Sequence, residues 1–240
     1  MSSQGTRVLV SGSWDAWVKV WGANESGMHA TPLMSLAELD TEVKQVAVSD
    51  DGAICAGLAS TGCVSLWDVR SGAEIHHQLP QRASTVQFVA PGGGGRGGGE
   101  ELLSGAAAAC SAPQLLAVAS VDEPSTAIQL WDVRKLSQPV VRAAHVPMAT
   151  VSSLHTDGRR WVAGTTDGDL WSGTFEVGGA SSGRGDLAFK NPYRPHSDIV
   201  SCLQVVCLER CGGGGGGGEG GQGKTLVLTG SMDASACVLV

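Results

Sequence analysis

The stretch that most resembles chemical machinery is Gly218-Glu219-Gly220-Gly221-Gln222-Gly223-Lys224-Thr225, which matches the phosphate-loop pattern G-x-x-x-x-G-K-[ST]. In a working loop of that kind, backbone N–H groups wrap the phosphates, the lysine meets their charge and the hydroxyl binds magnesium. A helix must follow, because its N-terminus supplies donors and dipole. Here Leu226-Val227-Leu228-Thr229-Gly230-Ser231 follows and reads as a strand, with only 15 residues after Thr225. A glycine tract also makes the match cheap by chance. The expectation is therefore no bound nucleotide and no cofactor.

Other chemical motifs read the same way. The seven cysteines include no C-x-x-C pair; Cys207 and Cys211 are four apart with no histidine close by, so free thiols are expected rather than zinc. His76-His77 reads as a solvated pair on an outer strand. Arg184-Gly185-Asp186 and the sequon Asn24-Glu25-Ser26 matter only outside the cell. Met1 to Arg7 lacks the cationic head and apolar stretch of a secretory signal, which leaves a cytoplasmic expectation. No G-x-S-x-G elbow or HExxH appears, so an enzyme is not expected. A net charge of −7, one Tyr and three Phe argue against a nucleic-acid partner. No apolar run approaches the ~20 residues that would insert in a bilayer.

The organising signal is a repeat. Five segments align on a turn: Ser11 to Trp21; Ala56 to Asp68; Ala117 to Asp122 continued by Ile128 to Asp132; Val162 to Leu170; and Thr229 to Leu239. Each is an apolar run of small residues, a tight turn and a second run alternating apolar and polar, which is a hairpin pattern. Asp15 and Thr61 are 46 residues apart and Asp122 and Asp167 are 45. Such a period, with Trp-Asp closing a strand, marks a four-stranded propeller blade. Val43 to Val48, Ser84 to Val89, Val151 to His155 and Ile199 to Val206 fit inner strands; Glu74 to Leu79 and Pro139 to Ala144 fit outer ones. No helix is expected.

This pattern resembles the WD-repeat family across nearly the whole chain outside its glycine tracts. The resemblance implies an all-β propeller and a buried polar network linking a His before the first strand, a Ser or Thr on the second, an Asp in the turn and the Trp of Trp-Asp. The matching residues are His145 and His196, Thr165 and Ser231, Asp15, Asp167 and Asp233, and Trp21, Trp67 and Trp131. Their expected role is structural, since a buried indole still needs an acceptor for its N–H. No repeat shows the full set: Thr61 stands at the second Asp position, Gly173 and Leu239 at Trp positions, and Trp171 is two residues early. Weaker blades are expected there. About five blades are counted, the first and last incomplete, which suggests a fragment or an open arc.

Ser13-Trp14-Asp15, Val18-Lys19-Val20-Trp21, Leu36-Ala37-Glu38-Leu39, Trp67-Asp68 and His77-Gln78-Leu79-Pro80 also resemble the C-terminal propeller of BEACH-domain proteins. That implies a trafficking or signalling scaffold with other proteins as partners. Trp67-Asp68-Val69-Arg70 and Trp131-Asp132-Val133-Arg134 resemble the box by which substrate receptors dock on cullin-RING ubiquitin ligases, which would make Arg70 and Arg134 contacts for a ligase adaptor. The Gly- and Ala-rich inserts at 91–113, 178–185 and 211–223 read as flexible loops within one domain spanning 1–240. Doubling a loop costs only ~0.6 kcal/mol of closure entropy, so a propeller tolerates them.

Overall fold

A computed structural model describes residues 7–24, 27–39, 41–76, 79, 82–89, 114–122, 125–146, 149–156, 160–175, 193–208 and 224–239. The three inserts lie outside these residues. Among the described residues every regular element is a strand, and the strands form five antiparallel sheets. The first sheet holds β1 (Arg7–Gly12), β2 (Trp17–Asn24), β3 (Gly27–Met28) and β4 (Met34–Glu38), with β3 and β4 both on the outer side of β2. The second runs β5 (Val43–Val48), β6 (Ile54–Ala59), β7 (Val64–Asp68), β8 (Glu74–His76). The third runs β9 (Ala83–Phe88), β10 (Leu115–Asp122), β11 (Ser125–Asp132), β12 (Val141–Val146). The fourth has β13 (Val151–Thr156), β14 (Arg160–Thr165) and β15 (Leu170–Thr174), with one outer bridge from Leu170 to Tyr193. The fifth has β16 (Val200–Leu208), β17 (Lys224–Ser231) and β18 (Ala236–Leu239). The outer strand β12 is shifted from its expected span, and part of the expected outer strand Glu74 to Leu79 lies outside the described residues.

The inner strands β5, β9, β13 and β16 neighbour one another in that order. Side chains bridge them. The Gln45 amide donates to the Val86 carbonyl at 2.8 Å and accepts from the Val86 N–H at 3.2 Å. Gln87 accepts from the Thr156 N–H at 3.1 Å, and the Ser152 hydroxyl donates to the Val200 carbonyl at 2.8 Å. Each sheet thus borrows a side chain from its neighbour where no backbone ladder runs.

Apolar cores lie between sheets. Val18, Val20 and Leu36 of the first sheet pack with Cys55, Ala59 and Trp67 of the second. Ala56, Leu58, Val64 and Leu66, on the other face of the second, pack with Val86, Leu116 and Trp131 of the third. Ala117, Ile128 and Leu130 then meet Trp161, Ala163 and Trp171 of the fourth. Alternation along the strands explains this: each sheet sends one set of apolar residues backward and the other forward.

An indole at most 2% exposed sits at each of these junctions, facing the preceding sheet, and Trp171, 9% exposed, adds a second at the last of them. In the second and third sheets it comes from the third strand, as Trp67 opposite Cys55 and Trp131 opposite Leu116. In the fourth sheet the third-strand position is Gly173, and its cross-strand partner is Trp161. A Cβ on Gly173 would run into the Trp161 ring. The indole is therefore present, supplied across the ladder by β14, and the expected weak blade keeps its anchor. Gly57 plays a related part in the second sheet, where a Cβ would press on the Trp67 ring.

Truncating a buried Trp costs ~3–5 kcal/mol. Trp161→Leu and Gly173→Trp should each destabilise the chain by roughly that order. The double variant, which rebuilds the Leu116–Trp131 arrangement, should lose at least about 1 kcal/mol less than the two singles combined in urea unfolding. Strict additivity would refute the exchange.

Candidate docking rim

Antiparallel strands run alternately up and down, so turns between second and third strands share a rim with the connections from one sheet to the next. Hydrogen bonds along this rim show the sharing directly. The Leu39 N–H donates to the Ala16 carbonyl at 2.9 Å and the Val43 N–H to Ser13 at 3.0 Å. Ser60 N–H bonds Glu42, Ala83 N–H bonds Gly62, Val121 N–H bonds Arg82, Thr166 N–H bonds Thr150 and Met232 N–H bonds Ile199, all between 2.8 and 3.0 Å. Every described hairpin turn here is stitched to a connecting segment, which fixes the rim's shape.

Two of these turns share a Ser-x-Asp-Ala pattern and a geometry: Ser13-Trp14-Asp15-Ala16 and Ser231-Met232-Asp233-Ala234. In each, the Asp N–H donates to the leading Ser hydroxyl, at 3.2 and 3.1 Å. The carboxylate accepts from the N–H two residues on, Trp17 at 3.1 Å and Ser235 at 2.9 Å. Ala16 and Ala234 are the two non-glycine residues with left-handed φ among the described residues, +70° and +64°. That conformation costs ~1–2 kcal/mol and persists because the Asp bonds fix it. The turn leaves its second residue outside: Trp14 is 87% exposed and Met232 67%.

Around the fifth sheet the rim carries a buried network. His196 is 3% exposed; its Nδ1 lies 2.8 Å from the Ser235 hydroxyl and 3.4 Å from Asp233 Oδ2, and its Nε2 lies 2.8 Å from the Thr229 hydroxyl. Asp233 also accepts from the Ser197 N–H at 2.9 Å. The Ser235 hydroxyl, then the Ser197 amide, hold its carboxyl well below the usual range. The second-strand hydroxyl that meets His196 is that of Thr229, not Ser231, whose own hydroxyl donates to the Asp198 carbonyl and accepts the Asp233 N–H. Thr229 points into the sheet interface and Ser231 caps the turn, a distinction that only the register reveals.

The fourth sheet also departs from expectation. Asp167 is exposed in the turn and takes only a long 3.4 Å bond from the Thr166 hydroxyl. The buried carboxylate is Asp169, 9% exposed and held by Arg194 through Nε at 2.6 Å and Nη2 at 3.2 Å. Thr165 accepts the Asp169 N–H at 3.1 Å, so the expected threonine serves a neighbour two residues beyond the expected aspartate. Nothing in the repeat pattern marked the Asp169–Arg194 pair. His145 lies on β12, and its side chain is outside the described residues.

Of the three Trp residues that the resemblance singled out, Trp21 donates to the Ser11 hydroxyl at 2.8 Å and Trp131 to the Gln129 side chain at 3.2 Å. Trp67 is buried at the position where the second sheet offers Gly57 in place of Ser11, and its N–H meets no acceptor among the described residues. On the opposite rim Asp68 and Asp132 hold equivalent turns, accepting the Arg70 N–H at 3.0 Å and the Arg134 N–H at 2.9 Å. The Ser71 amide, then its hydroxyl, depress the Asp68 carboxyl. Both Arg70 and Arg134 are exposed.

The remaining chemical motifs gain no site. Lys224 and Thr225 begin β17, paired with Leu208 and Cys207, so a strand follows the glycine tract. Gly218 to Gly223, Arg184-Gly185-Asp186 and Glu25-Ser26 lie outside the described residues. Cys55 is buried and its thiol is pushed up to about 12 by desolvation. Cys55, Cys202 and Cys237 are free thiols, and no His/Cys/Asp/Glu group among the described residues could hold a metal.

The fold is all-β and that of a partial β-propeller, with five sheets among the described residues. No family model matches the chain. It is 28% identical over 169 residues to the small ribosomal subunit protein RACK1y of Oryza sativa subsp. japonica, covering 68% of this chain and 42% of that protein. It superposes on a computationally designed protein, Ika8, with TM-score 0.58 at 17% identity, over 99% of this chain and 56% of the designed one. The chain therefore spans about half the length of these two proteins. No described helix is long and apolar enough to cross a membrane.

Asp233 gives the rim a pH dependence. Its folded-state pKa is depressed, so the stabilisation is present above the ordinary carboxylate range near 4 and is lost as pH falls through the lower folded value. Asp233→Asn should melt below the parent at pH 6, and the two melting curves should converge towards pH 2. A constant gap across that range would remove Asp233 as the cause.

Proposed function

We propose that this chain is a non-catalytic protein-docking scaffold whose docking face is the rim bearing Trp14. The observation that carries the reading is an indole 87% exposed on a turn that is locked by five hydrogen-bonded neighbours, Ser13, Asp15, Ala16, Trp17 and Val43. A rigid exposed aromatic loses little entropy when covered, and aromatic anchors dominate binding energy at protein interfaces. The same rim carries Asp15, Glu42, Asp167, Asp169, Asp198 and Asp233 against Lys19, Arg82 and Arg194 among the described residues, with Lys19 paired to Asp15 at 3.7 Å. Such a field favours a partner with a basic surface. The likeness to a component of the small ribosomal subunit supports work inside an assembly of several proteins. The BEACH-type setting, a trafficking or signalling scaffold in the cytoplasm, rests on the motifs of the first 80 residues.

A second reading makes the chain a substrate receptor on a ubiquitin-ligase adaptor. It is favoured by the equivalent, exposed settings of Arg70 and Arg134 on the opposite rim.

The two readings separate in one co-purification experiment with folded variants checked by circular dichroism. Trp14→Ala with Met232→Ala should reduce recovery of associated proteins at least tenfold, while Arg70→Ala with Arg134→Ala leaves it unchanged. Loss of a ligase adaptor only in the arginine variant would transfer the function to the opposite rim. Recovery unchanged in both would sink both.

A further inference from the structure

The segment from Tyr193 to Ile199, between the fourth and fifth sheets, is held from both sides. Towards the fourth sheet, the Leu170 N–H donates to the Tyr193 carbonyl at 2.7 Å and the Tyr193 N–H to the Leu170 carbonyl at 3.2 Å. Arg194, the next residue, grips Asp169 through Nε and Nη2. Gly168, at φ +86°, lies so close that a Cβ there would run into the His196 carbonyl. Towards the fifth sheet, His196 reaches Thr229 and Ser235, and the Ser197 N–H donates to Asp233. The Ser231 hydroxyl donates to the Asp198 carbonyl at 3.1 Å and the Met232 N–H to the Ile199 carbonyl at 3.0 Å. All these bonds to the Met232 turn start from the one short segment that Arg194 ties to the fourth sheet. The corresponding connections at Leu39 to Val43 and at Arg82 to Ala83 carry no ion pair to a turn among the described residues.

We propose that Asp169 and Arg194 are positioning residues of the docking rim: from the fourth sheet they fix the segment that aims the Met232 turn of the fifth. Two parallel bonds set a plane as well as a distance, so the fork holds the direction in which the segment leaves the fourth sheet. The inner edges of the two sheets are joined independently, by the Ser152 hydroxyl on the Val200 carbonyl and by Val200 in the Gly164 notch. Opening the fork therefore loosens the rim end of the junction and leaves the sheets together. A partner that spans both sheets meets Met232 at a set place only while the fork is closed. This consequence rests on the docking reading; the coupling of the two turns needs no partner.

Native-state hydrogen exchange of the full chain reads that coupling directly. Arg194→Ala should speed exchange at the Ser197 and Met232 amides at least about tenfold, because both donate across the segment that the fork holds. The Ala83 and Val121 amides, on the same rim between the second and third sheets, should keep their parent rates. Arg194→Lys should also speed the first pair, since an ammonium is a point contact where the guanidinium is a rigid fork. Parent rates in Arg194→Ala overturn the proposal. So does equal acceleration at all four amides, which is general loosening, or full recovery in Arg194→Lys, which needs only the charge. Where Arg194→Ala does not fold, the charge-conserving lysine variant decides. Recovery of associated proteins is measured on the same samples. Local acceleration with recovery reduced supports both the coupling and the docking reading. Local acceleration with recovery unchanged keeps the coupling and sinks Met232 as a docking residue.

Discussion

The constraint on which the rest depends is that a twisted four-stranded sheet has two apolar faces and can hide neither by itself. Burial of apolar surface is worth about 25 cal/mol per Å², so each sheet must lean on two others. The indole is the unit that sets their separation. Its seat is kept at all three internal apolar junctions, even though the donor strand changes from the third to the second in the fourth sheet. What is held constant is a volume at a fixed depth, with a glycine against the ring at Trp67 and Trp161, where a Cβ would collide.

Polar atoms are handled differently, and here the variation between sheets is large. The fifth sheet concentrates its hydrogen bonds on His196 and has no indole at its Trp position, which is Leu239. The second sheet has a fully buried indole but neither the His nor the turn Asp. The fourth replaces the His-centred arrangement with the Asp169–Arg194 fork. A bidentate guanidinium–carboxylate pair orients a loop, because two parallel bonds define both distance and plane. The junction between the fourth and fifth sheets relies on such polar links and on Val200 in the Gly164 notch rather than on a buried apolar cluster among the described residues.

How much of this was legible in the sequence follows from the same division. Period-two alternation and a spacing near forty-five residues announced the sheets and their order, because alternation is dictated by burial on two faces. The backward-facing indoles of the second and third sheets were legible from Trp-Asp. Trp161 was not, since a motif keyed to position along the chain is blind to an exchange across a ladder. The Thr229-for-Ser231 difference has a similar origin: two hydroxyls two residues apart lie on one face, and only the depth of the sheet decides which meets His196. Arg194 could have been suspected only from the proximity of Asp169 to a turn, and Asp167 competed for that role.

The two rims differ for a reason that bears on how a surface becomes available for recognition. On the Trp14 rim, turn and connection bond to each other at every described station, so the chain there is short and spent on mutual hydrogen bonds. On the other rim lie the described strand ends that flank 91–113 and 211–223 and the end of β15 that precedes 178–185. Glycine-rich sequence adds chain without adding apolar surface, and its closure entropy grows only slowly with length. Insertions can therefore accumulate on that side at small cost to the junctions. Even the third hairpin, longer on the Trp14 rim than the hairpins of the first, second and fourth sheets, keeps a turn-to-connection bond there through the Val121 N–H. A rim whose turns and connections bond one another can hold an exposed aromatic at a fixed position, and that fixity is what a binding face requires.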